Sequence, residues 1–224
     1  MATTAPMFLE LEQEEREKEL EQLEQQLKEQ ENQDSGPKQS PDSTDNTVLR
    51  QQRGKRILLA AEKGRLVELV RMLHEDHELV NYADSDGYTP LHRACYSGHI
   101  DCVKYLCKHG ADIEARTTDD WRPLHCAVRW NNVEAAQYLI EQGADINAKS
   151  VGGNTPLHIA ASNGRYSLTC DIIQMLLYHP DCDYLVKNQS GDSAFDLAKR
   201  GSPLYRLWVG VTTITLDDKI ELEE

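Results

Sequence analysis

The sequence predicts an all-α solenoid: three full helical repeats between two divergent capping repeats, preceded by a largely disordered acidic arm. Three observations carry this expectation. Pro-Leu-His recurs at 90–92, 123–125 and 156–158, each time 33 residues on, and GADIEA at 110–115 returns as GADINA at 143–148. A fixed period of this length marks an array in which each unit buries its apolar face only against its neighbours. Two flanking segments, RILLAAEKGRLVELVRML (56–73) at a 34-residue offset and GDSAFDLAKRGSPLYRLW (191–208) after an insertion, fit the register loosely and read as end caps.

The arm comes first. Residues 1–50 hold 13 acidic and 5 basic side chains, so −8 of the formal charge of −14 lies there, and the repeats are only mildly acidic. That balance argues against duplex-DNA binding, which needs clustered Lys and Arg to displace counterions. Residues 10–34 are rich in Glu, Gln, Leu and Lys, a composition that favours helix. Leu20, Leu23 and Leu27 share one face, but the heptad positions before them are Arg16 and Gln13. The stripe is too short for a coiled coil, so a solvated, fraying helix is expected. Residues 34–48, DSGPKQSPDSTDNTV, read as a polar linker.

In the second unit Thr89 precedes Pro90, a side-chain acceptor followed by a residue whose missing N–H costs nothing at a helix start. Leu91, Ala94 and Cys95 give a narrow inner-helix face, and Gly98 supplies the positive φ that ends it. Ile100, Val103, Leu106 and Cys107 then mark an outer helix. The caps carry Lys63, Arg65 and Glu68 at one end and Lys199, Arg200 and Arg206 at the other. The 39% hydrophobic content can support this core. The cysteines, at 95, 102, 107, 126, 170 and 182, fall mostly within helical patterns and read as reduced, packed thiols of a cytosolic or nuclear protein. Neither a charged start with an apolar run nor a stretch of about 18 apolar residues is present, so a soluble, intracellular protein is expected.

His92, His125 and His158 invite a metal reading, but one repeat apart is about 8–10 Å, whereas zinc needs nitrogens about 2 Å from a shared centre. They read instead as bonds from each repeat to its neighbour's turn. A catalytic set and a phosphate loop are not found; VGGN (151–154) is a turn, and the tail at 210–224 offers no nucleophile with a base. No cofactor, metal or catalytic residue is therefore expected.

TPLH at the helix start and GADINA at the turn resemble the ankyrin-repeat family, over Gly54 to Trp208. The resemblance implies a finger-like turn, an inner helix, a reversal and an outer helix per unit, with approximate units 54–84, 85–117, 118–150, 151–189 and 190–209. The arm and linker are then 1–53 and the tail 210–224. It also implies that finger tips and the exposed side of the inner helices contact partners. Those positions are Ser85, Asp86, Tyr88, Arg93, Tyr96 and Ser97 in the second unit. In the third they are Thr118, Asp119, Trp121, Arg129 and Trp130, and in the fourth Val151, Gly152, Asn154, Ser162 and Asn163. Tyr, Trp and Arg are the types enriched at interface hot spots. Both tryptophans are expected to be exposed, Trp130 because its register equivalents are Ser97 and Asn163. The acidic fingers, Asp84, Asp86, Asp119 and Asp120, either favour a partner bearing Lys or Arg or serve solubility.

The third unit departs from the repeat. Asp120 and Asn131 stand where Gly87 and Gly98 stand earlier, and both types tolerate left-handed backbone. Arg122 replaces a Thr cap, a loss of about 1 kcal/mol. An insertion, RYSLT (165–169), extends the fourth unit between its helices. The resemblance further implies a candidate for asparaginyl hydroxylation, Asn147, with Leu139 eight residues and Asp145 two residues before it.

The function expected is non-catalytic binding of protein partners, as adaptor or regulator, by a monomer without membrane attachment. The alternatives are a nuclear regulator of gene expression, acting through protein partners or through nucleic acid at RQQRGKR (50–56), and a regulatory subunit of an enzyme.

Overall fold

The computed structural model describes residues 15–16, 18–29, 43–163 and 169–201. Ten α-helices follow in order among them: α1 (18–29), α2 (Ser43–Glu62), α3 (Leu66–Glu75), α4 (Pro90–Ser97), α5 (Ile100–Lys108), α6 (Pro123–Arg129), α7 (Val133–Glu141), α8 (Pro156–Ser162), α9 (Thr169–Leu177) and α10 (Ala194–Gly201). A 3-10 turn, His77–Asn81, follows α3. The even-numbered helices from α2 to α10 stack as an inner row, and α3, α5, α7 and α9 as an outer row behind it. This is the two-layer solenoid that the 33-residue period predicts. Residues 165–168 of the insertion, Arg206 and the 210–224 tail lie outside the described residues.

The core is the repeated pattern read across units. Leu91, Ala94 and Cys95 of α4 face Leu124, Ala127 and Val128 of α6, and these face Leu157, Ala160 and Ala161 of α8, all essentially inaccessible. Small residues let the inner helices approach, while Leu106, Leu139 and Leu176 fill the space behind them from the outer row. Burial pushes the Cys126 and Cys102 thiols up to about 12 and that of Cys95 well above its usual range. These thiols stay protonated and unreactive.

Each inner helix begins alike. Thr89 and Thr155 stand at the N-caps with Pro90 and Pro156 next. His92 Nε2 meets the Trp121 carbonyl at 3.0 Å, His125 Nε2 those of Ala148 and Asn154 at 3.0 and 3.3 Å, and His158 Nε2 that of Asp192 at 3.1 Å. A carbonyl only accepts, so Nε2 carries the proton, and Nδ1 accepts the amide N–H of Thr89, Arg122 or Thr155. The three histidines are thus repeat-to-turn links. Desolvation lowers His92 and His125 to about 4 and lowers His158 as well.

A second ladder closes the inner helices at their other end. His99 bonds the Glu62 carbonyl, Asn132 those of Cys95 and Tyr96, and Asn163 that of Arg129. Each donor comes from the next unit and satisfies carbonyls that a helix C-terminus leaves free. Asp120 and Asn131 adopt φ of 57° and 59°, matching 83° at Gly87 and 76° at Gly98. Both turns keep the shape that glycine gives elsewhere.

Two features differ from the sequence expectation. Helix α2 begins at Ser43, inside the stretch read as linker, so helical structure starts ahead of the boundary placed at residue 54. The helix of the arm is not wholly solvated: Leu20, Leu23 and Leu27 are half-buried against the core. The face that was too short for a coiled coil instead packs on this chain's own outer helices.

Candidate partner-binding surface

The exposed ends of the inner helices bring together three of the expected contact residues. Tyr96 lies in the last turn of α4 and Trp130 caps the C-terminus of α6. Their rings meet with centroids 4.6 Å apart and tilted by 59°, yet they remain 39% and 49% exposed. The Arg129 guanidinium lies 6.0 Å from the Trp130 ring centroid and is itself exposed. An exposed aromatic pair with a cation at its side spans the joint between the second and third units. Trp130 stands out here because its register equivalent Asn163 is buried, where its carboxamide bonds Arg129; the polar equivalents used to argue exposure do not all face solvent.

The remaining candidates divide. Asp86 and Asp119 are exposed at finger tips, where their carbonyls accept the N–H of Thr118 and Val151 and tie each finger to the next. Val151, at the following tip, is also exposed. Arg93 lies 4.7 Å over the Tyr88 ring, donates to Asp84 at 2.8 Å and faces Glu62 at 3.8 Å. Burial opposes ionisation of Asp84, yet Arg93 and the Tyr88 and Asp86 amides outweigh it and hold its carboxyl below the usual range. Tyr88 is half-buried, edge-on to His92. Arg93 and Tyr88 thus serve the fold, exposing only part of each side chain.

Two further candidates are less exposed than the sequence suggests. Trp121 is half-buried against the core, 6.1 Å from the His125 ring, with its carbonyl held by His92. The finger is closed on itself by Thr117 N–H to the Trp121 carbonyl at 2.9 Å. Asn154 is half-buried and accepts from Asn188 at 2.9 Å, a link to the next finger.

Arg122 lacks a cap acceptor, as its side chain dictates, but it carries a second role that the sequence did not reveal. Its Nη1 donates to Asp145 at 2.9 Å and pairs with Glu114, while Glu114 also accepts the Asp145 amide at 2.9 Å. The second and third units are joined by one guanidinium that is only 12% exposed. Leu59, 45% exposed on α2, was also passed over because its unit reads as a cap; the 34-residue offset that places it in register with Arg93 is the signal for it.

Asn147 donates to the Asp181 carbonyl at 2.6 Å and accepts from the Asp183 amide at 2.9 Å, so its carboxamide bridges successive turns. Asn81 does the same two units earlier with Gly110 and Asp112. The three arginines of the basic stretch at 50–56 face acids: Arg50, Arg53 and Arg56 pair with Glu78, Glu75 and Glu68 at 2.9, 3.5 and 3.0 Å. Among the described residues no helix is long and apolar enough to cross a membrane, and no group of three His, Cys, Asp or Glu side chains is placed to hold a metal ion.

The sequence profile of the family described as ankyrin repeats (3 copies) matches this chain over residues 21–117, 57–150 and 116–188. The chain is 60% identical over 146 residues to ankyrin repeat domain-containing protein 49 of Bos taurus, covering 65% of this chain and 60% of that protein. It is 58% identical over 152 residues to the Homo sapiens protein of the same name, covering 68% and 62%. A shorter likeness, 44% over 50 residues, is to alpha-latrocrustotoxin-Lt1a of Latrodectus tredecimguttatus, covering 22% of this chain and 4% of the toxin. The matches span about six tenths of the two mammalian relatives' length.

Proposed function

The chain belongs to the ankyrin-repeat family, and from that premise we propose that it is a non-catalytic adaptor or regulator whose partner docks on the Tyr96–Trp130 pair. The observation that carries this reading is the exposure of that pair beside Arg129, at a joint where Asn132 bonds the Cys95 and Tyr96 carbonyls and Asn163 that of Arg129. A rigid aromatic surface with a nearby cation supplies large contact area at low entropic cost, which is what interface hot spots use. The acidic tips Asp86 and Asp119, next to Val151, suit a partner segment that presents Lys or Arg beside an apolar side chain. A role in gene expression would run through such a protein contact, since Arg50, Arg53 and Arg56 are already paired with glutamates.

The test is Trp130→Ala together with Tyr96→Ala in the full chain. The pair should lose the partner while the unfolding transition stays where it is; retention of the partner would sink the reading. Asn147 is proposed as a hydroxylation site on the same premise. Co-expression with the hydroxylase should add one oxygen to the peptide that contains it, and an unchanged mass removes that idea.

A further inference from the structure

Helix α1 lies on the outer row, away from the Tyr96–Trp130 pair. Of its residues, Leu20, Leu23, Glu24 and Leu27 are half-buried and the rest are exposed, the spacing of a single helical face. The leucines pack against the core, Glu24 Oε1 lies 3.3 Å from His109 Nε2, and Arg16 donates to Asp101 at 3.2 Å. His109 in turn stacks on Tyr105, with ring centroids 4.0 Å apart. Lys104 and Lys108 line the same cleft as Glu21 and Glu24, so an acidic helix lies on a basic stretch of α5.

The fit is incomplete. A cleft of about 480 Å³ remains between α1 and the outer helices, bordered by Leu66, Tyr105 and Tyr138. The cleft is open to solvent, so α1 leaves part of this border uncovered. The exposed ion pair of Arg16 with Asp101 adds little to the docking. An element held by one half-buried leucine face beside an open cleft can be replaced by one that covers more of it.

We propose that α1 is a displaceable resident of a second docking face, formed by α3, α5 and α7, and that this face accepts a partner's acidic amphipathic helix with leucines at the 20, 23 and 27 spacing. The resident helix serves as the template for the partner: a leucine at the place of Leu20 beside Leu66, Tyr105 and Tyr138, two more on the core at the places of Leu23 and Leu27, and carboxylates toward Lys104, Lys108 and His109. Displacement of α1 then couples occupation of the outer face to release of the arm.

The probe is a fluorescent synthetic peptide of residues 12–32, titrated into full-length protein. Leu20→Glu, Leu23→Glu and Leu27→Glu combined should undock α1 and bind the peptide at least tenfold tighter than wild type, where the face is occupied. Adding Lys104→Glu and Lys108→Glu should remove at least tenfold of that affinity. Equal affinity for wild type and the triple variant, or no binding to either, would overturn the proposal. Amide exchange on wild type gives a second check: α1 should be protected, and exchange at the rate of a free peptide would overturn it equally. Trp130→Ala should leave peptide binding unchanged, which separates this face from the one proposed above.

Discussion

Arg122 donates to Asp145 at 2.9 Å within the third unit and pairs with Glu114 across the joint to the second, from the position where the neighbouring units have a capping threonine. The substitution exchanges a local bond for a bridge between turns. Arg122→Ala should lower the unfolding free energy by about 1–2 kcal/mol, since Glu114 and Asp145 are left facing each other in a partly desolvated joint. Arg122→Thr should lose less, because the cap returns about 1 kcal/mol. Urea unfolding of both variants checks this, and a larger loss for Thr than for Ala would refute it.

The histidine ladder predicts acid sensitivity. His92 and His125 are neutral in the fold and lowered from 6.5 to about 4. Their folded value lies below the unfolded one, so their contribution is complete above about pH 6.5 and is lost as pH falls toward 4. A shift of that size corresponds to on the order of 3 kcal/mol for each histidine at the acid end. Unfolding free energy should therefore fall steeply between pH 6.5 and 5, before most carboxylates titrate. A flat profile over that window would show that the two rings are not held neutral.

The two left-handed non-glycine residues predict a gain on reversion. Asn131 has φ of 59°, and its Oδ1 is buried without a hydrogen-bond partner. Asn131→Gly removes both costs and should stabilise by up to about 1 kcal/mol. Gly98→Ala, at φ of 76°, should destabilise by about 1–2 kcal/mol. Thermal melts of the two proteins should shift in opposite directions; a shared direction would contradict this reading of the turns.

Much of this was legible in the sequence because it is local or periodic. Thr89, Pro90 and Leu91 define a helix start within three residues, and the 33-residue period says which copies must stack. The same logic anticipated left-handed Asp120 and Asn131. What escaped depends on contacts between units. Arg122 finds its partners 8 residues before and 23 after it, and Asn154 finds Asn188 34 residues on. Trp121 read as exposed because finger tips vary, yet the fold of the finger lays its ring on the core. The leucine face of α1 could be read, but the surface that receives it exists only once the outer helices are stacked.

The two tryptophans should consequently separate. Trp121→Ala removes a half-buried ring packed against the core and should cost about 2 kcal/mol. Trp130→Ala removes an exposed ring and should stay within about 0.5 kcal/mol. Parallel unfolding curves measure both, and equal losses would place the two rings in similar environments, against the geometry described.

The central claim rests on the Tyr96–Trp130 pair as the partner surface. It is tested most directly by quantitative cross-linking mass spectrometry in cells, comparing wild type with the Tyr96→Ala, Trp130→Ala double variant at matched expression and matched thermal stability. The account predicts that proteins cross-linked to the inner-helix face of wild type are lost from the double variant. The same cross-linked proteins, recovered in the same amounts through the same face, would contradict it.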